Sequence, residues 1–153
     1  MNYHYLHFDE IDSTNNYLKN SYKLLNNFTF VSADYQSKGK GRNDRVWSSN
    51  PKENLMFSFL IKDQNLIKKF SALSIISACL ISELLESYQI KDVSIKWPND
   101  VFIKDKKICG ILLEGQILEY LVNTIVCTAS IRFSIPSGMS ISAHCIFFSK
   151  QRI

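Results

Sequence analysis

The sequence predicts an α+β fold, in which strands carry most of the chain and helices are few. Three observations lead to this prediction. Short apolar or alternating segments typical of strands recur along residues 3–126. Only two segments show the 3.6-residue period of an amphipathic helix. One short turn joins two neighbouring strand patterns as a β-hairpin.

The N-terminal half alternates strand and helix patterns. Tyr3–Phe8 alternates apolar and polar residues and predicts a strand. The capping side chains of Ser13–Asn15 follow, and beyond them one apolar helical face extends to about residue 27. Phe28–Ala33 and the strongly apolar Leu55–Ile61 predict the next two strands. The segment between these two strands is therefore expected to be a loop.

The second half predicts one long helix followed by strands. The helix covers about residues 66–88, and its core-facing stripe is predicted to be Leu73, Ile76, Leu80 and Leu84. The strands are predicted at Val93–Trp97, Val101–Ile103, Lys107–Leu113 and Tyr120–Val126, with a hairpin turn at residues 104–106. Gly110 weakens its strand, so we expect a ligand or another backbone to approach closely there.

The loop Gln36–Trp47, called the glycine–arginine loop below, has the composition of an anion site. It contains two glycines and both arginines found before residue 127, in a chain with 14 lysines and 4 arginines. A guanidinium grips phosphate or carboxylate bidentately, and glycine lets the backbone come close to such an anion. The loop is predicted to bind phosphate, with a solvated basic hairpin connection as the alternative.

Lys96 is the second candidate, because it lies between Ile95 and Trp97 in a strand that should be half-buried. A buried ammonium group needs an anionic partner or loses its charge. Taken alone, Lys96 slightly favours the alternative, a solvent-facing lysine on an edge strand. The residues that follow Lys96 shift the balance toward the buried interpretation.

Composition and charge exclude several classes of protein. The 153 residues suit one domain. The net charge is +4, but residues 1–126 carry 15 cations and 14 acids, and this near balance gives little support for nucleic-acid binding. No apolar run reaches the length of a membrane span. The three histidines are too scattered to predict a metal site. Four cysteines without a CxxC pair predict free, buried thiols in a cytoplasmic protein.

Four motifs, in order and spacing, resemble those of biotin protein ligases. They are Ser13-Thr14-Asn15, the glycine–arginine loop followed by Asn54-Leu55, Lys96-Trp97-Pro98-Asn99-Asp100, and Lys107-Ile108-Cys109-Gly110-Ile111-Leu112-Leu113-Glu114. The resemblance covers residues 1 to about 120. It implies a mixed, mainly antiparallel sheet with helices on one side, like the catalytic core shared by biotin and lipoate ligases and class II synthetases.

The resemblance also implies an activity and a set of site residues. Biotin and ATP would give biotinyl-5'-adenylate, and the biotinyl group would pass to a lysine of a carboxyl-carrier protein, with Lys96 and Arg42 as catalytic residues. The implied biotin-binding residues are Ser13, Thr14, Asn15, Gln36, Gly39, Lys40, Gly41, Arg42, Lys96 and Gly110. The implied ATP- and adenylate-binding residues are Arg42, Arg45, Trp47 and Asn99, with Asp100 as the candidate Mg²⁺ ligand.

This chemistry agrees with the residues, because two bound substrates react with each other and no side-chain nucleophile is required. Positioning and neutralisation of phosphate charge would supply the catalysis. The chain departs from the family pattern at Lys40, where arginine is common, and at Asp44, where glycine is common.

The C-terminal end departs most from the family pattern. All 14 acids lie before residue 121, and the last 27 residues show no sustained helix or strand period. A Gly-Ile-Gly-Ile-Asn-like strand is missing. We therefore expect a catalytic core at residues 1–126, incomplete at its C-terminal end, and an aberrant tail at 127–153, with a change of reading frame near residues 123–127. We expect neither an N-terminal helix-turn-helix domain nor a C-terminal SH3-like domain.

Two alternatives stay open beside biotin ligation. One is a non-catalytic remnant that at most binds biotin, and the other is a lipoate or octanoate ligase of the same superfamily. The expected partners are biotin, ATP and a carrier protein, with neither nucleic acid nor membrane. A homodimer is left open.

Overall fold

The computed structural model describes residues 3–43, 45–48, 50–51, 53–118 and 121–132, and these residues form seven strands and three helices. The strands are β1 (His4–Ile11), β2 (Thr29–Gln36), β3 (Asn54–Ile61), β4 (Val93–Lys96), β5 (Asp100–Ile103), β6 (Lys106–Leu118) and β7 (Leu121–Arg132). The helices are α1 (Thr14–Ser21), α2 (Gln64–Ile67) and α3 (Phe70–Ser87). Every predicted strand is present with shifted ends, and the predicted long helix is divided into α2 and α3.

All seven strands form one sheet in the order β1-β2-β3-β7-β6-β5-β4. Only the pair β1–β2 is parallel, because α1 carries the chain back between the two strands, while the other neighbours are antiparallel. This arrangement confirms the predicted mixed, mainly antiparallel sheet. The last two strands within the described residues, β6 and β7, lie in its centre.

Local capping explains where two of the helices begin. Ser13 has extended backbone angles, and its Oγ accepts a 3.4 Å hydrogen bond from the Asn16 N–H at the start of α1. Asp63 Oδ1 accepts hydrogen bonds of 2.8 and 3.1 Å from the N–H groups of Asn65 and Leu66 at the start of α2. The predicted α1 extended to about residue 27, but the helix ends at Ser21.

The helices cover both faces of the sheet, so the expectation that they lie on one side is wrong. Leu18 of α1 packs in a cluster with Val126 of β7. The next residue of that strand, Cys127, belongs to a different cluster with Ala78 and Leu85 of α3. Successive strand residues point to opposite faces. Helix α1 therefore covers one face, and α3 covers the other.

The face that α3 buries also differs from the predicted stripe. Leu73 is buried as expected, but Ile76 and Leu80 are 43% and 60% exposed. The buried positions of the helix are Leu73, Ala78, Ile81, Ser82 and Leu85. The helix is apolar nearly all round, so its hydrophobic period does not define a single core face. By length and composition α3 is apolar enough to cross a membrane, so the expectation that no apolar run reaches that length is wrong. Helices that pack on a sheet core share this property.

Strand β7 continues to Arg132, past the predicted core boundary at residue 126. Residues 127–132 pair with β3 on one side, and residues 127–131 pair with β6 on the other. Their apolar members Cys127, Ala129 and Ile131 are buried in the α3 core, while Thr128 and Ser130 alternate with them. The expectation that residues 127–132 lack a strand period is therefore wrong. The rest of the predicted tail, residues 133–153, lies outside the described residues.

The three cysteines within the described residues are free, as predicted. Cys109 and Cys127 are buried, but Cys79 is exposed on α3, so the expectation of burial is wrong for Cys79. Burial raises the pKa of the Cys109 thiol to about 12. The fourth, Cys145, lies outside the described residues.

Candidate functional site

A cavity of about 380 Å³ lies between the glycine–arginine loop and strands β5, β6 and β7. Its charged lining residues are Lys40, Arg42, Arg45, Asp100 and Lys107. The cavity is thus basic, with one carboxylate among its described lining residues. Asn99, Gly110, Thr128 and Ser130 also line it. The structure therefore brings the predicted phosphate loop and the two downstream motifs together around one space.

Backbone contacts close the glycine–arginine loop into a narrow hairpin. Lys40 and Val46 form a β-bridge, and the Trp47 N–H donates a 2.9 Å hydrogen bond to the Gly39 carbonyl oxygen. A Cβ on Gly39 would lie 2.5 Å from the Trp47 carbonyl oxygen, so only glycine fits there without a shift of the backbone. The hairpin holds Arg42 and Arg45 at the cavity.

Arg42 is anchored by Asn99 of the third motif. Its Nη1 donates a 2.9 Å hydrogen bond to Asn99 Oδ1, and Asn99 Nδ2 donates a 2.8 Å hydrogen bond to the Ile111 carbonyl oxygen. Asn99 is buried, whereas Arg42 is exposed and lines the cavity. A guanidinium has five N–H donors, so one anchoring bond leaves a fork that can grip an anion.

Lys107 is a cavity residue that the sequence analysis did not assign to the site. Its Nζ lies 2.8 Å from Asp100 Oδ1 and 5.8 Å from the centroid of the Trp47 ring. The lysine motif Lys107–Glu114 was recognised, but the anion-binding role was given to Lys96. The sequence could have indicated Lys107 as a site residue, because it lies three residues before Gly110, where a ligand was expected to approach closely.

Lys96 lies elsewhere. It is exposed on the edge strand β4, its Nζ is 5.7 Å from the centroid of the Phe102 ring, and it does not line the cavity. The expectation that Lys96 is half-buried is therefore wrong. An edge strand leaves alternate side chains in solvent, which is the alternative that the sequence had also offered.

Gly110 lies beneath the Trp47 ring. A Cβ on Gly110 would lie 3.1 Å from that ring and 3.2 Å from Cε of Lys107. The close approach predicted at this glycine is thus made by two side chains, rather than by another backbone. Arg132 also lies over the Trp47 ring, with its guanidinium carbon 4.9 Å from the ring centroid.

Three of the residues that the resemblance implies for biotin binding, Thr14, Asn15 and Gln36, form a buried polar network next to the cavity. Gln36 Oε1 accepts hydrogen bonds from the Thr14 N–H at 2.7 Å and from Thr14 Oγ1 at 3.1 Å. Asn15 Nδ2 donates a 3.0 Å hydrogen bond to Thr128 Oγ1. Among the described residues no group donates to the buried Asn15 Oδ1. A buried acceptor of this kind suits a ligand N–H group.

Two further network residues were missed by the sequence analysis. Ser58 Oγ lies 2.8 Å from Thr14 Oγ1 and 2.7 Å from Thr128 Oγ1. Ser58 was detectable as the one polar residue in the predicted strand Leu55–Ile61. Thr128 was missed because the sheet was expected to end at residue 126. Since Thr128 also lines the cavity, it joins the polar network to the cationic space.

An ion pair ties α1 to the sheet beside this network. Lys19 Nζ lies 2.8 Å from Glu114 Oε1, and both side chains are 27% exposed. Burial raises the pKa of Glu114, but the hydrogen bonds of Lys19 and Asn15 and the charges of Lys19 and Lys40 together outweigh this effect and hold the pKa below its ordinary value. The pair ties the last turn of α1 to strand β6.

Known proteins share this fold and are similar in sequence. The family model described as "Biotin/lipoate A/B protein ligase family" matches residues 7–131. The bifunctional ligase/repressor BirA of Bacillus spizizenii is 33% identical over 130 residues, which are 82% of this chain and 39% of that protein. The chain therefore spans about two fifths of the length of this curated relative.

Solved structures agree with the sequence relatives. The biotin protein ligase of Aquifex aeolicus in complex with biotin and ATP has a TM-score of 0.66 and 33% identity, and the match covers 84% of this chain and 51% of that one. The Helicobacter pylori biotin acetyl coenzyme A carboxylase synthetase has a TM-score of 0.67 and 26% identity, and that match covers 85% of this chain and 61% of the other. The chain is a member of the biotin/lipoate A/B protein ligase family.

Proposed function

We propose that the protein is an ATP-dependent biotin–protein ligase, which makes biotinyl-5'-adenylate and transfers biotin to a lysine of a carboxyl-carrier protein. The observation that carries this proposal is the junction at Thr128 between a cationic cavity and a buried polar network. The network suits an uncharged polar head such as the ureido ring of biotin. The cavity suits the carboxylate and phosphates that would lie at the other end.

In the first half-reaction, a biotin carboxylate oxygen bonds to the α-phosphorus of ATP. The bond from that phosphorus to the bridging oxygen of the β-phosphate breaks, and pyrophosphate leaves. Negative charge concentrates on the phosphate oxygens during this step. Arg42, which is hydrogen-bonded to Asn99, and Lys107, which lies near Asp100 and Trp47, would neutralise it. Lys107 thus takes the role that the sequence had given to Lys96.

In the second half-reaction, the neutral amine of a carrier lysine attacks the acyl carbon. The bond from that carbon to the phosphate oxygen breaks, AMP leaves and the amine loses a proton. The enzyme contributes position and charge, since no nucleophilic side chain takes part. This agrees with a cavity lined by cations, amides and hydroxyl groups.

Mg²⁺ accompanies ATP in this chemistry and neutralises phosphate charge. It commonly binds through one or two carboxylates together with the substrate phosphates. Asp100 is the one carboxylate among the described residues that line the cavity, so the donors present fit such an ion. Asp100 would hold it.

The remaining site assignments follow the same division. Ser13, Thr14, Asn15 and Gln36 would bind the biotin head, and Gly39, Lys40, Gly41 and Gly110 would lie along the rest of biotin. Arg45 and Trp47 would cover the nucleotide. The free thiols of the three described cysteines support a cytoplasmic location. The proposal does not specify whether the protein is a monomer or a homodimer.

The test is biotin-dependent exchange of radiolabelled pyrophosphate into ATP by the chain as it stands. We expect exchange that requires biotin and Mg²⁺ and does not occur with lipoate. Biotin binding without exchange would support the non-catalytic alternative, and exchange with lipoate would support the lipoate alternative. Transfer to a purified carrier domain then tests the second half-reaction separately.

A further inference from the structure

A mixed group of metal-binding side chains lies on strands β1 and β2, outside the cavity lining. It consists of His7 and Asp9 on β1 and Asp34 on β2. One ligand atom from each of the three lies within 4.8 Å of the others. We propose that these residues bind a divalent transition-metal ion, with Zn²⁺ as the best-fitting ion.

The strand register creates this group. His7 and Asp9 are two residues apart on one strand, so their side chains leave the same face. Phe8 pairs with Ala33 and Glu10 pairs with Tyr35 in the parallel ladder, which puts Asp9 and Asp34 at the same level. The distance from His7 Nε2 to Asp34 Oδ1 is 3.6 Å. The sequence showed only scattered histidines, because Asp34 becomes a neighbour of His7 and Asp9 only through the sheet.

The His7 ring is oriented for metal binding by its other nitrogen. Nδ1 lies 2.8 Å from Ser32 Oγ, and Ser32 Oγ lies 2.8 Å from the Tyr5 hydroxyl. Ser32 is buried, so it fixes the ring from the protein side. Nε2 is left facing the carboxylates, as metal-ligating histidines commonly are when an outer partner holds the second nitrogen.

The distances between the three ligand atoms would suit a metal ion after a small movement of the side chains toward each other. Ligand atoms about 2.1 Å from a tetrahedral ion lie about 3.4 Å from each other. The His7–Asp34 distance of 3.6 Å is already close to this value. Asp9 is exposed, so rotation of its side chain can close the wider gap. Two carboxylates balance the charge of a dication, and the remaining coordination position would take water.

The donor set selects among ions. One imidazole nitrogen with two carboxylates suits Zn²⁺, whereas Mg²⁺ and Ca²⁺ prefer oxygen ligands alone. This site would therefore be distinct in both place and ion from Mg²⁺ bound with ATP at Asp100. Its presence does not depend on the proposed ligase activity.

The experiment is a calorimetric titration of the full chain with ZnCl₂ in a non-chelating buffer, without an affinity tag. A Cys79→Ser background removes the exposed thiol as a competing ligand. We expect one saturable Zn²⁺ site and at least about tenfold weaker binding in His7→Ala and Asp34→Asn. Ser32→Ala should weaken binding by about 10-fold or more, since it releases the His7 ring.

His4→Ala is the matched control, because His4 lies on the same strand but contacts Asn26, with 3.0 Å between Asn26 Nδ2 and His4 Nε2. It should bind Zn²⁺ like the parent. Circular dichroism of each variant checks that it is folded. Equal affinity in His7→Ala, no saturable Zn²⁺ binding, or equally tight binding of Mg²⁺ would each overturn the proposal.

Discussion

Arg42 of the glycine–arginine loop donates a 2.9 Å hydrogen bond from Nη1 to Oδ1 of Asn99, a residue 57 positions further along the chain. Asn99 is itself fixed to the Ile111 carbonyl oxygen of β6. The loop guanidinium is thus positioned by the central sheet. The two residues were assigned to the site from separate motifs, and their contact explains why both motifs occur together.

We predict that Asn99→Ala lowers pyrophosphate exchange about 10- to 100-fold, the size expected for losing one hydrogen bond to a charged group. Arg42→Ala should lower it further, because the guanidinium itself is removed. The double variant should be less impaired than the sum of the two free-energy changes, since Asn99 acts through Arg42. Asn50→Ala is the control, because its side-chain amide contacts Glu53 outside the cavity. Additive losses would contradict the coupling.

A second pair of variants tests whether Lys107 or Lys96 neutralises the phosphate charge. Lys107→Ala should reduce exchange by about 100-fold or more, because it removes a cation beside the phosphates. Lys96→Ala should leave exchange within about twofold, because the exposed Lys96 does not line the cavity. The comparison uses exchange rates at saturating biotin and ATP. A larger loss in Lys96→Ala than in Lys107→Ala would return the role to Lys96.

Gly39→Ala tests the packing of the loop. The added Cβ would lie 2.5 Å from the Trp47 carbonyl oxygen, so the hairpin must open. We expect the free energy of unfolding to fall by about 1–3 kcal/mol and exchange to fall with it. Gly41→Ala is the matched variant, since its Cβ would lie 3.2 Å from the Arg45 carbonyl oxygen and needs a smaller shift. Urea denaturation of both variants measures the difference, and equal losses would contradict this account.

The ion pair between Lys19 and Glu114 predicts a pH-dependent stability. The pKa of Glu114 is lower in the folded state than in the unfolded state. Ionised Glu114 therefore stabilises the fold above its unfolded-state pKa, and this contribution is lost as the pH falls through the folded-state pKa. Glu114→Gln should lower the free energy of unfolding by about 1 kcal/mol at neutral pH. The difference from the parent should shrink in acid.

Urea denaturation across the acidic range provides the measurement. Asp92→Asn is the control, because its partner Lys104 is 4.0 Å away and the Asp92 side chain is 60% exposed. This substitution should change stability little at any pH. A Glu114→Gln effect that stays constant into acid would show that the side chain's shape, rather than its charge, is responsible.

Substrates should protect the glycine–arginine loop from proteolysis. Lys40, Arg42 and Arg45 line the cavity, so an anion bound there gives them partners and orders the loop. We expect biotin with ATP to slow trypsin cleavage between Lys38 and Arg45. Cleavage at Lys104, in the exposed hairpin turn, should be unchanged and serves as the internal control. Unchanged cleavage of the loop would contradict substrate-dependent ordering.

Local patterns located the strands and the motif segments well, but they failed where burial depends on distant neighbours. Ile76 and Leu80 have the helical spacing of a core stripe and are nevertheless exposed, because the sheet contacts another face of α3. Residues 127–132 contain small and polar residues, which hid a strand that has partners on both sides. Lys96 was assigned a buried role because the motif that follows it outweighed the edge-strand alternative, and only the strand order places β4 at the edge of the sheet.

The sequence by itself determined the mixed α+β class, the strand segments, the concentration of glycine and arginine in one loop and the family. These depend on composition, short periods and motif order, which are properties of neighbouring residues. Only the tertiary structure decided that Lys107 faces the cavity, that Thr128 joins the polar network to it, and that His7 meets Asp34. These contacts depend on strand order and register, which join residues distant in the chain and which no local period encodes.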